Sequence, residues 1–366
     1  MASARRIVRL PGAFTMRNGG VLPEVDIAYE TWGALSPARD NVLLLVTGLS
    51  PGAHARSSAE DPTPGWWEEM IGPGQALDTN RFHVICVNSL GSCHGSTGPA
   101  SIDPRTGRAY RLTFPVLTIE DIASAARLAL RALGLPRVRA VVGPSLGGMT
   151  ALAYAIQFPD EVDALVTISS ATRATPFAIA IRSVQREAIR SDPDWRGGNY
   201  EPPGPVNGLR VARKLGLITY RSAAEWRQRF ARERVDVREP GVGPFSVEFE
   251  VEAYLEMHAQ KFVGAFDANS YLYLSRSMDL FDVAEHGGSV EAGLGRIRAR
   301  KTLVIGVESD FLFPIDQQEE IATLLGRAGR DVRFERLASI QGHDSFLVDH
   351  DRFSPTVGSF LEAVWL

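Results

Sequence analysis

Short runs of β-branched and aliphatic residues recur at 42–47, 83–88, 139–143 and 164–169, and another stands at 302–307. They read as buried strands. Between them the apolar positions switch to helical spacing, notably at 119–133 and 146–158. Strands alternating with helices predict a mostly parallel, doubly wound sheet with right-handed crossovers. From 173 to 295 the pattern changes: the segment is rich in Arg, Glu, Trp and Tyr, keeps helical spacing and shows no buried strand. This segment reads as a helical cap inserted into an α/β core made of 1–172 and 296–366. The α/β rhythm resumes with the strand at 302–307, a helix over 317–326, a strand near 332–337 and a C-terminal helix.

Composition narrows the function classes. The 366 residues are 45% hydrophobic and 22% charged, which is ordinary for a globular chain with a sizeable core. The formal net charge of -4 comes from interspersed acids and bases. Without a broad positive field, nucleic acid and anionic membrane are not expected partners. Cys86 and Cys93 are the only cysteines, too few and wrongly spaced for a disulfide framework or a zinc site. No metal is expected, and a reducing, cytoplasmic location fits. Neither a signal-peptide core near the N-terminus nor a run of about eighteen apolar residues is present, so secretion and membrane spanning are not expected.

Candidate chemistry gathers where predicted strands end. Gly143-Pro144-Ser145-Leu146-Gly147 is a G-x-S-x-G motif with a strand before it and a helix after it, the setting of a nucleophile elbow. A serine hydroxyl needs a base to take its proton, and the base needs an acid to orient it. His343 lies in a loop after the last predicted strand, and Asp310 follows the strand at 302–307. The order Ser145, Asp310, His343 is that of the α/β-hydrolase fold. Glu308 and Asp316 are alternative acids, and the other histidines read as structural or solvated. An acyl transfer also needs N–H donors for its oxyanion. Leu146 supplies one, and Leu49, after the strand at 42–47, is the candidate for the second.

These residues resemble a known family, the homoserine/serine O-acyltransferases of the α/β-hydrolase fold. The likeness rests on Asn88-Ser89-Leu90-Gly91-Ser92-Cys93 with Gly95-Ser96-Thr97-Gly98-Pro99, on Gly147-Gly148-Met149, and on 192–198 and 218–222. It extends to Asp310-Phe311-Leu312-Phe313-Pro314 and Gly342-His343-Asp344. The resemblance implies a homodimer, no resident cofactor and a ping-pong reaction. Ser145 takes an acyl group from succinyl-CoA or acetyl-CoA, and the hydroxyl of L-serine or L-homoserine then attacks the acyl-enzyme. It further implies that Arg213 binds the acceptor's carboxylate and Asp344 its ammonium. The loop Gly48, Leu49, Ser50, Pro51 and Gly52 is expected to set acceptor specificity. With Gly65-Trp66-Trp67-Glu68 and 179–183, it looks like the serine O-succinyltransferase subgroup, whose product feeds cysteine synthesis. Succinyl carries a terminal carboxylate that needs a cation. Arg182 is the candidate, because acetyl-transferring relatives usually have a neutral residue there. The expectation is therefore an L-serine O-succinyltransferase, with a homoserine O-acetyl- or O-succinyltransferase as the alternative and an esterase of the same fold as the reading from another class.

Overall fold

The computed structural model describes residues 4–235 and 245–365. An eight-stranded sheet forms the core. Its strands are β1 (Arg6–Arg9), β2 (Asp26–Trp32), β3 (Val42–Val46), β4 (His83–Val87), β5 (Val138–Pro144), β6 (Val162–Ile168), β7 (Lys301–Val307) and β8 (Asp331–Leu337). Their spatial order is β1-β2-β4-β3-β5-β6-β7-β8. The β1–β2 and β2–β4 pairs are antiparallel. From β4 to β8 every neighbouring pair is parallel. Every residue of β3 is buried, as is all of β7 after Lys301, because helices cover both faces of a parallel sheet. That is why these strands appear in the sequence as unbroken apolar runs.

Two strands lie outside the expected set. β1 is a short edge strand whose Arg6 and Arg9 are exposed, so its sequence carries no apolar run. β2 is interrupted by Glu30 and alternates only loosely. Charged residues on an edge strand discourage pairing with another chain.

The core helices are α1 (Ile119–Ala132) and α2 (Leu146–Gln157). A capping box between Thr118 and Asp121 starts α1. α2 is buried from Leu146 to Ile156, which explains why it is apolar all round. Between β6 and β7 the chain runs through α3 (Pro176–Ser191), α4 (Val206–Thr219), α5 (Ala223–Phe230), α6 (Glu250–Val263), α7 (Ala268–Leu280) and α8 (Val290–Gly295). The chain leaves and re-enters side by side: Val283 N donates to Thr172 O at 2.9 Å, and Arg173 bridges to Asp282. α3 packs on both α4 and α7. Asp192, capping the end of α3, accepts the N–H of Gly208 in α4 at 2.7 Å. After β7 come α9 (Ile315–Arg327), β8, α10 (Ser345–Val348) and α11 (His350–Trp365). Among the described residues no helix is long and apolar enough to cross a membrane.

Candidate active site

β5 ends at Pro144 and α2 begins at Leu146, which leaves Ser145 alone on the turn at φ 57° and ψ -124°. Holding a non-glycine residue there costs about 1–3 kcal/mol, so its surroundings must fix it. Ser145 N donates to Ile168 O at the end of β6, and Gly148 N and Met149 N donate to Ser145 O. The flanking glycines are steric requirements. A Cβ on Gly143 would overlap the carbonyl oxygen of Gly147, and one on Gly147 would overlap that of Val46. The turn therefore projects the hydroxyl from the sheet's carboxyl edge at the start of a helix, where negative charge is favoured.

His343 Nε2 lies 2.8 Å from Ser145 Oγ, and its Nδ1 lies 2.7 Å from Asp310 Oδ2. The other oxygen, Asp310 Oδ1, accepts the N–H groups of Leu312 at 3.0 Å and Phe313 at 2.9 Å. One face of the carboxylate is thus fixed by its own turn, and the other is left for the histidine. A carboxylate only accepts, so Nδ1 carries the proton and Nε2 is free to take one from Ser145. Phe313 stacks on the imidazole with centroids 4.9 Å apart, and all three chain-order partners are buried. Of the possible acids, the structure places Asp310 against His343.

The histidine loop is seated on the connection between α4 and α5. A Cβ on Gly342 would come within 2.7 Å of Ser222 N, Asp344 N donates to Tyr220 O at 3.0 Å, and Ser222 Oγ donates to Ile340 O. The stretch Tyr220-Arg221-Ser222 is therefore a strap that holds His343 in place.

A cavity of about 120 Å³ opens on Ser145 and His343. Gly48, Leu49, Ser50 and Pro51 line it, while Leu146 sits directly behind Ser145 as the first residue of α2. Gly52 does not line the cavity. The space where its side chain would be faces His94, and its carbonyl accepts from Trp66 Nε1 at 3.1 Å, so it supports the loop from behind. Asn88 Nδ2 reaches Pro51 O at 3.4 Å and Ser92 Oγ at 3.2 Å, so the Asn88 motif braces the same loop.

Arg182, Arg213 and Asp344 line this cavity as well. Arg213 lies over the Phe262 ring at 4.6 Å, and its Nε is buried without a hydrogen-bond partner. Burial pushes the Asp344 carboxyl above its ordinary range, opposed by Arg221, whose Nε is 3.1 Å away. Arg182 is 5% exposed, donates from Nε to Asp279 Oδ1 at 2.6 Å, and keeps a buried, unpartnered Nη2. Arg182 is therefore held by a buried acid on another helix and not by solvent.

The family model described as alpha/beta hydrolase fold matches residues 41–349. A serine O-succinyltransferase of Litchfieldella anticariensis is 59% identical over 363 residues, covering 99% of both chains. The chain belongs to the serine and homoserine O-acyltransferases of the α/β-hydrolase fold. An L-serine/homoserine O-acetyltransferase of Streptomyces lavendulae is 55% identical over 99% of this chain and 98% of its own. Among solved structures, homoserine O-acetyltransferase from Bacillus anthracis superposes with a TM-score of 0.89 at 30% identity, covering 98% of each chain.

For an O-acyltransferase the cavity's contents divide by chemistry: a nucleophile and base at one place, and cations and an anion around it. Sequence reasoning did not single out Asp279 or Arg221. Each acts through a partner on another element; Asp279 carries no signal of its own, whereas Arg221 lies in the stretch 218–222 that carries the family likeness but was given no role. Among the described residues no group of three or more His, Cys, Asp or Glu is arranged to hold a metal ion. A larger groove of about 930 Å³, walled by α3, α7 and 112–117, contains none of the three chemical residues.

Proposed function

We propose that this O-acyltransferase is an L-serine O-succinyltransferase that works through succinyl-Ser145. The observation that carries the donor assignment is the buried Arg182 guanidinium, which lines the same cavity as Ser145 and has an Nη2 without a partner. Burying a distal carboxylate beside it exchanges two desolvated groups for one charge-assisted pair. The full-length likeness to a protein named serine O-succinyltransferase supports the same assignment.

In the first half-reaction His343 Nε2 takes the proton of Ser145 as Oγ attacks the thioester carbonyl. The N–H groups of Leu49 and Leu146 receive the oxyanion. Its collapse breaks the carbon–sulfur bond, and His343 returns the proton to the departing CoA sulfur. Serine then enters, its carboxylate toward Arg213 and its ammonium toward Asp344. His343 removes the proton from its hydroxyl, and the new ester forms as the bond to Ser145 breaks and Oγ is reprotonated. The cavity of about 120 Å³ is well below the roughly 300–1,000 Å³ of pockets that enclose a drug-sized ligand, so the nucleotide of CoA stays outside it. The scheme uses no resident cofactor. The two free cysteines support a cytoplasmic setting. In this reading the working unit is a homodimer, its contact made through Phe177 and Val184 on α3 and Val211 and Ile218 on α4, all of which are exposed.

The deciding experiment is a grid of succinyl- and acetyl-CoA against L-serine and L-homoserine, read as acceptor-dependent release of CoA. The highest kcat/KM for succinyl-CoA with serine is expected. Preference for acetyl-CoA or homoserine moves the chain to the alternative activity, and CoA release that ignores the acceptor marks a hydrolase.

A further inference from the structure

We propose that Asp279 in α7 is a positioning residue that sets acyl-donor specificity by holding Arg182, an inference that rests on the succinyl-CoA reading above. Asp279 is 1% exposed and faces two arginines of α3. Its Oδ1 accepts from Arg182 Nε at 2.6 Å, and its Oδ2 lies 2.6 Å from Arg186 Nη2. Arg186 is anchored a second time, donating from Nη1 to Ser275 Oγ at 2.9 Å.

The cluster has two cations and one buried anion at its centre, with Arg276 Nη1 farther off at 3.9 Å. Even with the solvent-exposed Arg276 set aside, one positive charge is left over. A buried ion pair with an excess charge is costly unless something neutralises it. The free Nη2 of Arg182 shows where: it is buried, lacks a hydrogen-bond partner, and belongs to a side chain that lines the cavity around Ser145. With Nε committed to Asp279, the guanidinium can turn only its Nη end to a ligand. Asp279 thereby converts a flexible side chain with several rotamers into a fork of fixed direction, and the ordering is completed before the donor arrives. A terminal carboxylate on the acyl group matches that fork in charge and shape. A neutral acetyl group gains nothing from it.

The test compares Asp279→Asn, Asp279→Glu and Arg182→Asn with the wild type, measuring kcat and KM separately for succinyl-CoA and acetyl-CoA at saturating serine. In Asp279→Asn, KM for succinyl-CoA should rise about tenfold, the loss of one well-directed charged contact, with kcat nearly constant and acetyl-CoA use unchanged. Asp279→Glu keeps the charge but shifts the carboxylate by one methylene. It should fold even if the asparagine variant does not, and show a smaller loss confined to succinyl-CoA. If both donors decline together, Asp279 is merely structural and the inference falls. If Arg182→Asn loses the succinyl preference while both Asp279 variants keep it, Arg182 reads the donor unaided and only the positioning role is lost. A wild type that prefers acetyl-CoA overturns the donor reading itself, and this inference with it.

Discussion

Two carboxylates stand on either side of His343, Asp310 behind its ring and Asp344 next to it in the cavity wall, and their surroundings separate their tasks. Asp310 has one oxygen tied to two backbone N–H groups and the other to His343, so its task is to orient and to stabilise the imidazolium. Asp310→Asn removes the acceptor that sets the His343 tautomer while keeping the shape. Turnover should fall by roughly 10³–10⁴-fold with the folded content unchanged by circular dichroism. A loss of less than tenfold would assign the orienting role to another group. Asp344 instead lines the cavity, with its carboxyl raised by burial and held down by Arg221, and in the proposed reaction it receives the acceptor's ammonium. An ammonium needs the charged form. As pH falls through that raised pKa, Asp344 takes up a proton and KM for serine should climb, while acylation of Ser145 by the donor should not follow the same limb. Arg221→Gln removes the opposing cation, so the pKa rises further and the acid limb should move to higher pH. Profiles of KM for serine that coincide in the two proteins would separate Asp344 from acceptor binding.

Elements differ in how openly the sequence declares them. β3 and β7 were legible because burial on both faces forces an unbroken apolar run, and Ser145 because β5 and α2 bracket it. β1 was not, since an exposed edge strand needs no apolar face. Asp279 was hidden for a related reason: its partner Arg182 is 97 residues away, and only the packing of α3 on α7 joins them. Gly208 carries a similar message for α3 and α4. A Cβ there would overlap Ala188 O and stand 2.8 Å from Ile189 Cα, so the two helices touch through backbone. Gly→Ala inside a helix ordinarily stabilises by up to about 1 kcal/mol. Overpacking against backbone costs about 1–3 kcal/mol, and it should win here because no flexible side chain can yield. Gly208→Ala is therefore expected to lower the urea midpoint. Because α3 carries Arg182 and α4 carries Arg213, KM should rise for donor and acceptor alike. A variant more stable than the wild type would show that the helices part without cost.

At the scale of the whole molecule, the same two helices that build the cavity also leave apolar surface uncovered. Phe177 and Val184 on α3 are 51% and 53% exposed, and Val211 and Ile218 on α4 are 50% and 44% exposed. Each pair is seven residues apart, which places both members on one face of their helix. The inward faces of these helices are occupied by Arg182, Gln185 and Ile189 in α3 and by Leu209, Ala212 and Leu217 in α4, and of the outward stripes Phe177 meets Phe311 edge-on at 6.2 Å yet stays half exposed. Exposed apolar stripes on a pair of packed helices fit an interface, and a two-fold axis would let the pair meet its own copy. Such a dimer would also clamp α3 against α4 and hold the arginines that line the cavity. Light scattering should give twice the 39.9 kDa chain mass. Val184→Asp combined with Val211→Asp should yield the single-chain mass, because a paired carboxylate at each stripe is costly to bury. The monomer should still fold, and KM for succinyl-CoA should rise as the α3–α4 pair loosens. A wild type of single-chain mass, or a double variant that remains paired, would place the contact elsewhere or remove it.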